Sequence, residues 1–156
     1  ASSQEMYALE VIHGVLGRGQ SGKLFDAVRG REGLCYSIGS YHNYCVDAGY
    51  FAIYCATDKR RIPKVVQLIR KEVASLQRLS PRELSDAKSY LIGDHTLACE
   101  STQYLADKLT YWEQLTRAED FESYVSKIKR VSLAEVRRVA KKYLTAKYAL
   151  VVLVQM

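Results

Sequence analysis

The sequence predicts an α+β fold in which several helices pack on an antiparallel or mixed sheet. Three observations favour this class. Two adjacent segments rich in Tyr, Ile and Phe indicate a β-hairpin, most of the remaining chain has apolar residues at helical spacing, and an apolar, β-branched run lies near the end. With 156 residues, 48% of them hydrophobic, the chain can bury a core of its own. We therefore expect one domain over residues 1–156, belonging to a longer chain.

Two helices are predicted before the hairpin. Apolar residues recur at helical spacing over residues 6–16, and Gly17 ends this first helix. A glycine-rich loop follows. Ser21 can then cap a second helix that continues to Gly30 or Gly33.

The hairpin strands are "LCYSIGSYHNY", residues 34–44, and "GYFAIYCAT", residues 49–57. Aromatic and β-branched residues of this kind favour strands. The segment "VDAG" between them, residues 46–49, contains Asp47 and Gly49, which suit a turn.

Helices are predicted again after the hairpin. Thr57 or Asp58 can cap the first of them, which has Pro63 near its start. In "SPREL", Ser80 and Glu83 form a capping box and begin a helical pattern of roughly thirty residues. Gly93 and the stretch "CEST", residues 99–102, are expected to break this pattern into two helices.

The final third predicts two more helices and a strand. One helix covers residues 121–128, and a second capping box, Ser132 with Glu135, begins the other. "YALVVLV", residues 148–154, is apolar at consecutive positions and therefore predicts a strand in the interior of a sheet. An interior strand needs another neighbour, so either the chain lacks its first strand or another element supplies one.

Charge and cysteine content limit the classes of partner and compartment. The net charge is +6, but Lys and Arg are interspersed with Glu and Asp on amphipathic helices, which indicates solvated helix faces and no nucleic-acid partner. No run approaches the ~18 apolar residues of a membrane span, so no membrane insertion is expected. The four cysteines contain no C-x-x-C pair. This favours free thiols in a reducing compartment, the cytoplasm or the mitochondrial matrix.

The loop "LGRGQSGKLF", residues 16–25, has the glycines and lysine of a phosphate-binding loop. Gly17, Gly22 and Lys23 fit G-x-x-x-x-G-K-[ST], but Leu24 stands where the pattern requires a hydroxyl. A phosphate loop also follows a buried strand, whereas a helix is predicted here. Nucleotide or nucleic-acid binding is therefore less favoured than the two other functional interpretations, which are given below.

Longer segments of the chain resemble a known family. "LEVIHGVLGRGQSGKLFDAVRGREGLCYSIGSY" is similar to the glycine-rich loop, helix and strand of the pitrilysin/insulinase family of zinc peptidases, which includes the mitochondrial processing peptidase and the core proteins of the respiratory cytochrome bc complex. "SPRELSDAKSYLIGDHTLACEST" and "VSLAEVRRVAKKYL" resemble later family motifs in the same order. Arg18 and Gly22 depart from the family pattern, which has a glycine and a serine there.

The resemblance implies a domain that follows the zinc-binding domain of a clamshell-shaped endopeptidase. The family's zinc motif is H-x-x-E-H, and His13, His42 and His95 do not have that spacing. We therefore expect no metal site and no cofactor in this chain. The resemblance places the zinc in an N-terminal domain or a partner subunit of the same family, with a peptide as the substrate.

By the same resemblance, Arg29 and Tyr36 form a helper pair that reaches the active site, and Gly17, Arg18 and Gly19 contact the substrate. A phenol can donate a hydrogen bond to the scissile carbonyl oxygen, and a guanidinium can hold the peptide backbone. The alternative is a non-catalytic structural or partner domain, like the core proteins. In that case Arg29 is a surface charge and Tyr36 an aromatic residue of the sheet.

Overall fold

The computed structural model describes residues 3–45, 47–145 and 147–154. In chain order, its regular elements are helix α1 (Ser3–Leu16), strands β1 (Cys35–Tyr44) and β2 (Gly49–Thr57), and helices α2 (Ile62–Ser75), α3 (Pro81–Ala98), α4 (Thr102–Leu115), α5 (Tyr124–Arg130) and α6 (Leu133–Tyr143). A π-helical turn, Phe25–Gly30, connects the glycine-rich loop to β1. The predicted α+β class is confirmed.

Helix α1 lies at the centre of the core. It packs against α3, α5 and α6 and against β1, so apolar residues are buried on several of its sides. Val11, Ile12 and Leu16 are completely buried. Burying side chains of this size stabilises the fold by about 1.5–3 kcal/mol each. The apolar residues predicted at helical spacing over residues 6–16 therefore form part of the main core.

A buried carboxylate joins α1 to α6. Glu5 is 5% exposed and accepts hydrogen bonds from Arg138 (Nη1 to Oε1, 2.7 Å), Lys142 (Nζ to Oε1, 3.0 Å) and the Tyr143 hydroxyl (2.8 Å). A buried charge is tolerated when it is paired and hydrogen-bonded, as here. The contact fixes the last helix against the first.

Strands β1 and β2 form an antiparallel hairpin with register Tyr44↔Gly49 at the turn and Cys35↔Thr57 at the open end. The inward face packs on α1, where the Tyr44 hydroxyl donates to the Met6 carbonyl at 2.9 Å. The predicted strands are confirmed. Val46 of the predicted turn lies outside the described residues, and beside it the Cys45 N–H donates to the Ala48 carbonyl at 2.7 Å.

The helix starts predicted from capping boxes are correct, whereas some predicted breaks and boundaries are not. Ser80 and Ser132 each cap a helix as expected. Gly93, however, lies inside a continuous α3, because its propensity penalty of about 1 kcal/mol relative to Ala is too small to interrupt a packed helix. The break falls after Ala98, in the stretch "CEST" where it was also predicted, and Ser101 of that stretch caps α4.

Two other helix boundaries differ from the sequence prediction. The helix predicted over residues 121–128 begins instead at Tyr124, after a 3₁₀ turn over Ala118–Phe121. Ser21 does not cap the helix after the glycine loop, because it lies in a 3₁₀ turn of its own, Gly19–Ser21. Turns of this kind are common beside helix ends, and apolar spacing alone does not locate them.

The predicted C-terminal strand is wrong for the described part of the chain. Residues 147–154 contain no assigned strand, and Val151 and Leu153 are 81% and 95% exposed. Apolar, β-branched residues favour a strand only where a neighbouring ladder accepts the backbone hydrogen bonds. Among the described residues, the only sheet pairs β1 with β2. Within residues 3–45, 47–145 and 147–154, no helix is both long and apolar enough to cross a membrane.

Candidate functional site

Arg29 and Tyr36 lie side by side at the open end of the hairpin. Arg29 is in the π-helical turn, and its Cζ lies 5.7 Å from the centre of the Tyr36 ring and 5.1 Å from that of Phe25. In a cation–π contact the ring attracts the charge electrostatically, and the guanidinium keeps its five N–H donors. Tyr36 is 81% exposed and Arg29 is also exposed. The structure thus brings together two side chains that are seven residues apart in the sequence.

A β-bulge positions Tyr36. The register of β1 and β2 shifts between Cys35 and Ser37, so Tyr36 lies at the irregularity. A bulge locally bends a strand and changes the direction of a side chain, and bulges are frequent near active sites. Cys35 is half-buried against the core while Tyr36 projects into solvent. The sequence pattern of the strand contained no signal for this irregularity.

The glycine-rich loop is packed closely against β1. A Cβ on Gly17 would lie 2.7 Å from the backbone N of Ser40 and would overlap the Ser40 hydroxyl. Gly19 has φ +47°, a left-handed conformation that favours glycine. Arg18, between them, donates from Nε to the Ser21 carbonyl at 3.2 Å. The loop therefore has a defined shape that depends on its glycines.

The loop and the Arg29–Tyr36 pair occupy different positions along β1. Gly17 contacts Ser40, four residues beyond Tyr36. At ~3.3 Å per residue, this separation corresponds to roughly 13 Å along the strand. The predicted substrate residues therefore form two neighbouring surfaces, and one extended peptide of about four residues is long enough to reach both.

The lysine of the loop already has protein partners. Lys23 Nζ lies 2.6 Å from Glu83 Oε1 and donates to the Ser75 hydroxyl at 3.4 Å. The segment before the loop is the helix α1, as predicted, instead of a strand. In a phosphate loop the lysine must be free to reach the phosphates. The geometry therefore does not fit a nucleotide-binding loop.

Three tyrosines on the outward face of the hairpin were not identified from the sequence. Tyr41, Tyr50 and Tyr54 are each about half exposed, and the Tyr41 ring contacts the other two at centroid distances of 5.9 and 6.2 Å. Gly39 opposes Tyr54, and a Cβ there would lie 2.7 Å from the Tyr54 hydroxyl. Strand alternation could have indicated this shared face once the register was known.

The three histidines lie on different elements but line one cavity beneath the sheet. The i, i+3 spacing of Glu10 and His13 on α1 was a signal for part of this cluster. Among the residues that the structure describes, no group of three His, Cys, Asp or Glu side chains could hold a metal ion.

Comparison with known proteins gives a consistent assignment. A family model described as the peptidase M16 inactive domain matches residues 1–91, more than half of the chain. An uncharacterised zinc protease of Bacillus subtilis is 30% identical over 150 residues, which is 94% of this chain and 37% of the relative. One from Mycobacterium bovis is 29% identical over 153 residues, 96% of this chain and 35% of the relative. The chain thus spans little more than a third of these curated relatives.

Solved structures agree on the fold. A protease from Helicobacter pylori has a TM-score of 0.82 at 17% identity, covering 92% of this chain and 36% of that chain. A peptidase M16 inactive domain from Pseudomonas fluorescens has a TM-score of 0.78 at 21% identity, covering 90% of this chain and 34% of that chain. The family resemblance predicted from the sequence motifs is confirmed. On the match of the family model, this chain belongs to the family of the peptidase M16 inactive domain.

Proposed function

We propose that this domain binds peptide for a zinc-dependent endopeptidase and supplies Arg29 and Tyr36 to an active site formed with another domain. The observation that carries the proposal is the exposed Arg29–Tyr36 pair at the β-bulge. An exposed aromatic ring held by a cation, at a strand irregularity, is well placed to meet a ligand that approaches from solvent.

The two side chains have complementary roles. Negative charge develops on the carbonyl oxygen when a peptide bond is attacked, and the Tyr36 hydroxyl donates a hydrogen bond to that oxygen. One such donor typically contributes about 2.7–4 kcal/mol to transition-state stabilisation. Arg29 donates to a neighbouring peptide carbonyl and holds the backbone of the substrate. Its cation–π contacts with Phe25 and Tyr36 limit the rotamers that must be ordered on binding.

The zinc belongs to another part of the enzyme in this proposal. The described residues do not form a fitting set of ligands. The curated relatives carry the name zinc protease, and this chain spans 37% of the Bacillus subtilis protein and 35% of the Mycobacterium bovis protein. Those lengths leave room for a zinc-binding domain in the same polypeptide, and a partner subunit is the other source.

The glycine-rich loop forms the second contact with the peptide. Beside β1, Gly19 is exposed while Gly17 and Arg18 are half-buried, and Arg18 is restrained by its hydrogen bond to the Ser21 carbonyl. At Gly19, where the position of a Cβ is open, the backbone can approach an extended peptide closely. In this arrangement the loop contributes to substrate affinity, whereas Tyr36 contributes to the chemical step.

The test is steady-state hydrolysis of a fluorogenic peptide by the full-length enzyme. We expect Tyr36→Phe to lower kcat by roughly a hundredfold or more, because the lost hydrogen bond acts on the transition state. Arg29→Ala should also raise KM. Tyr50→Phe and Arg31→Ala are matched controls, since Tyr50 is an exposed tyrosine on the outward sheet face and Arg31 is an exposed arginine paired with Asp26.

The outcome separates this proposal from a non-catalytic role. If Tyr36→Phe and Arg29→Ala both retain wild-type kcat and KM in a correctly folded enzyme, the helper role is wrong. If the full-length protein with intact Arg29 and Tyr36 hydrolyses no peptide in any combination with its partners, a structural domain resembling the core proteins is the better interpretation. Thermal melts of each variant distinguish either result from unfolding.

A further inference from the structure

A cavity of about 380 Å³ lies on the helical side of the sheet. It is bounded by α1, α3, α4, α5 and the inward-facing residues His42 and Tyr44 of β1. Tyr41 and Tyr54 face the opposite side of the same sheet. The cavity is therefore separate from the outward face that carries Tyr41 and Tyr54, and its lining includes neither Arg29 nor Tyr36. Its volume is in the range of sites for small molecules.

Aromatic side chains form much of the wall. Tyr7 stacks on Trp112 at 6.4 Å between ring centres and contacts Tyr124 at 6.2 Å. Tyr111 meets Trp112 edge to face at 6.3 Å. These contacts fix the rings against one another, so the shape of the wall is formed before a ligand enters. The π faces also carry partial negative charge.

Glu10 supplies a carboxylate to this wall. Its Oε2 lies 2.6 Å from His42 Nε2, and its Oε1 accepts from the Tyr124 hydroxyl at 3.2 Å. Burial acts to raise the pKa of Glu10, but the hydrogen bond and charge of His42, with His13 and Tyr124, lower it below its usual value. The group is therefore ionised at neutral pH. An ionised carboxylate can accept about four hydrogen bonds, and these two partners use half of that capacity.

The other charged groups of the cavity favour a cation. Burial lowers the pKa of His13 and of His95, so both are neutral near pH 7. Asp94 adds a second carboxylate, and Lys108 is the lysine of the lining. With Glu10, two carboxylates face the Lys108 ammonium group, the His42 ring that is hydrogen-bonded to Glu10, and the negative faces of several rings.

The ammonium group of Lys108 already contacts two of these rings. Lys108 Nζ lies 5.5 Å from the ring centre of Tyr104 and 5.5 Å from that of Tyr111. Both tyrosines line the cavity, and Lys108 is half-buried between them. The rings of Trp112 and Tyr124 belong to the same wall, and the Tyr124 hydroxyl is hydrogen-bonded to Glu10.

We propose that this cavity binds a small organic ammonium ion, a primary amine carried on an apolar group. The ammonium donates to Glu10, and the apolar group packs against Trp112 and Tyr124. The site does not include Arg29 or Tyr36, and nothing in its recognition depends on peptide hydrolysis. Aromatic walls with a carboxylate are an established means of recognising alkylammonium groups.

Trp112 gives a direct measurement because it is the only tryptophan in the chain and lies in the cavity wall. The purified chain is titrated with phenethylamine while Trp112 fluorescence is recorded, and 2-phenylethanol serves as the neutral ligand of the same shape. We expect a saturable change with phenethylamine at a Kd of about 1 mM or tighter. The alcohol should bind at least about tenfold more weakly, because it lacks the charge.

Two variants test the role of charge. Glu10→Gln should weaken phenethylamine binding about tenfold or more, because it removes the charged acceptor. Asp94→Asn, at an exposed position of α3, should weaken it by roughly two- to fivefold and should leave the fold intact. Asp86→Asn is the matched control, since Asp86 is an exposed acidic residue of the same helix outside the cavity lining.

The proposal is overturned if no saturable signal appears up to about 20 mM amine, a concentration well above the expected Kd. It is also overturned if the alcohol binds as well as the amine, or if Glu10→Gln and Asp94→Asn bind the amine like wild type. If Glu10→Gln does not fold in a thermal melt, the comparison of Asp94→Asn with Asp86→Asn decides the result.

Discussion

Substituting Gly17 by alanine should destabilise the domain because the loop lies in direct contact with β1. The new Cβ would lie 2.7 Å from the backbone N of Ser40 and would overlap the Ser40 hydroxyl, which hydrogen-bonds His13 Nδ1 at 2.9 Å. Backbone cannot move aside as easily as a flexible side chain. We expect a loss of about 1–3 kcal/mol in the free energy of unfolding, the usual cost of overpacking.

Two other glycines give matched comparisons for the same substitution. Gly19 has φ +47° and open space around its Cβ position, so Gly19→Ala should cost about 1–2 kcal/mol through backbone strain alone. Gly93 lies inside α3, and beyond the backbone of that helix no atom comes within 4 Å of the position that a Cβ would occupy. Gly93→Ala should therefore stabilise the domain by about 0.5–1 kcal/mol.

Urea unfolding followed by circular dichroism measures all three variants under identical conditions. We expect the free energy of unfolding to be higher than that of wild type for Gly93→Ala and lower for Gly17→Ala. A wild-type midpoint for Gly17→Ala would refute the close packing of the loop on Ser40. A destabilised Gly93→Ala would refute the open surroundings of α3 at that position.

Three further predictions concern charge. Burial acts to raise the pKa of Glu83, but Lys23 and Ser80 lower it to about 2, so the free energy of unfolding should fall as the pH drops from 4.5 towards 2. Urea unfolding of Glu83→Gln over that range should show a smaller fall than wild type, because Glu10 still contributes, and an unchanged profile would contradict the pairing. Burial lowers the pKa of His13 and His95 below 6.5, so stability should also fall as the pH decreases through 6.5. His13→Gln should flatten that slope, and an equally steep profile would count against the burial effect. Calorimetry should detect no Mg–ATP binding, because Lys23 is held by Glu83 at 2.6 Å. A micromolar Kd that Lys23→Ala abolishes would disprove this expectation.

Local chemistry explains which parts of the fold could be predicted. Capping boxes at Ser80 and Ser132 predicted two helix starts correctly, because a cap depends on residues only three positions apart. The hairpin was predicted for a similar reason, since strand propensity and a short turn are both local. The family assignment followed from motifs that extend through most of the chain.

Contacts between residues distant in the sequence decided the features of the fold that local chemistry did not predict. The strand predicted over residues 148–154 has suitable side chains, but a strand also needs a partner, and sequence preference cannot supply one. Gly93 was expected, together with "CEST", to break a helical pattern, yet packing of α3 against α1 outweighs the low helix propensity of Gly93 and the break falls at "CEST" alone.

For the candidate sites, too, the sequence determined some features and the tertiary structure determined others. The sequence by itself determined that Arg29 and Tyr36 are present at family positions and that no histidine pair has the zinc-motif spacing. Only the tertiary structure decided that Arg29 makes a cation–π contact with Tyr36, because that contact joins a π-helical turn to an irregular position of a paired strand. It also decided that the three histidines, from α1, β1 and α3, line one cavity with Glu10. Residues this far apart in the chain meet only when burial of apolar surface brings their elements together.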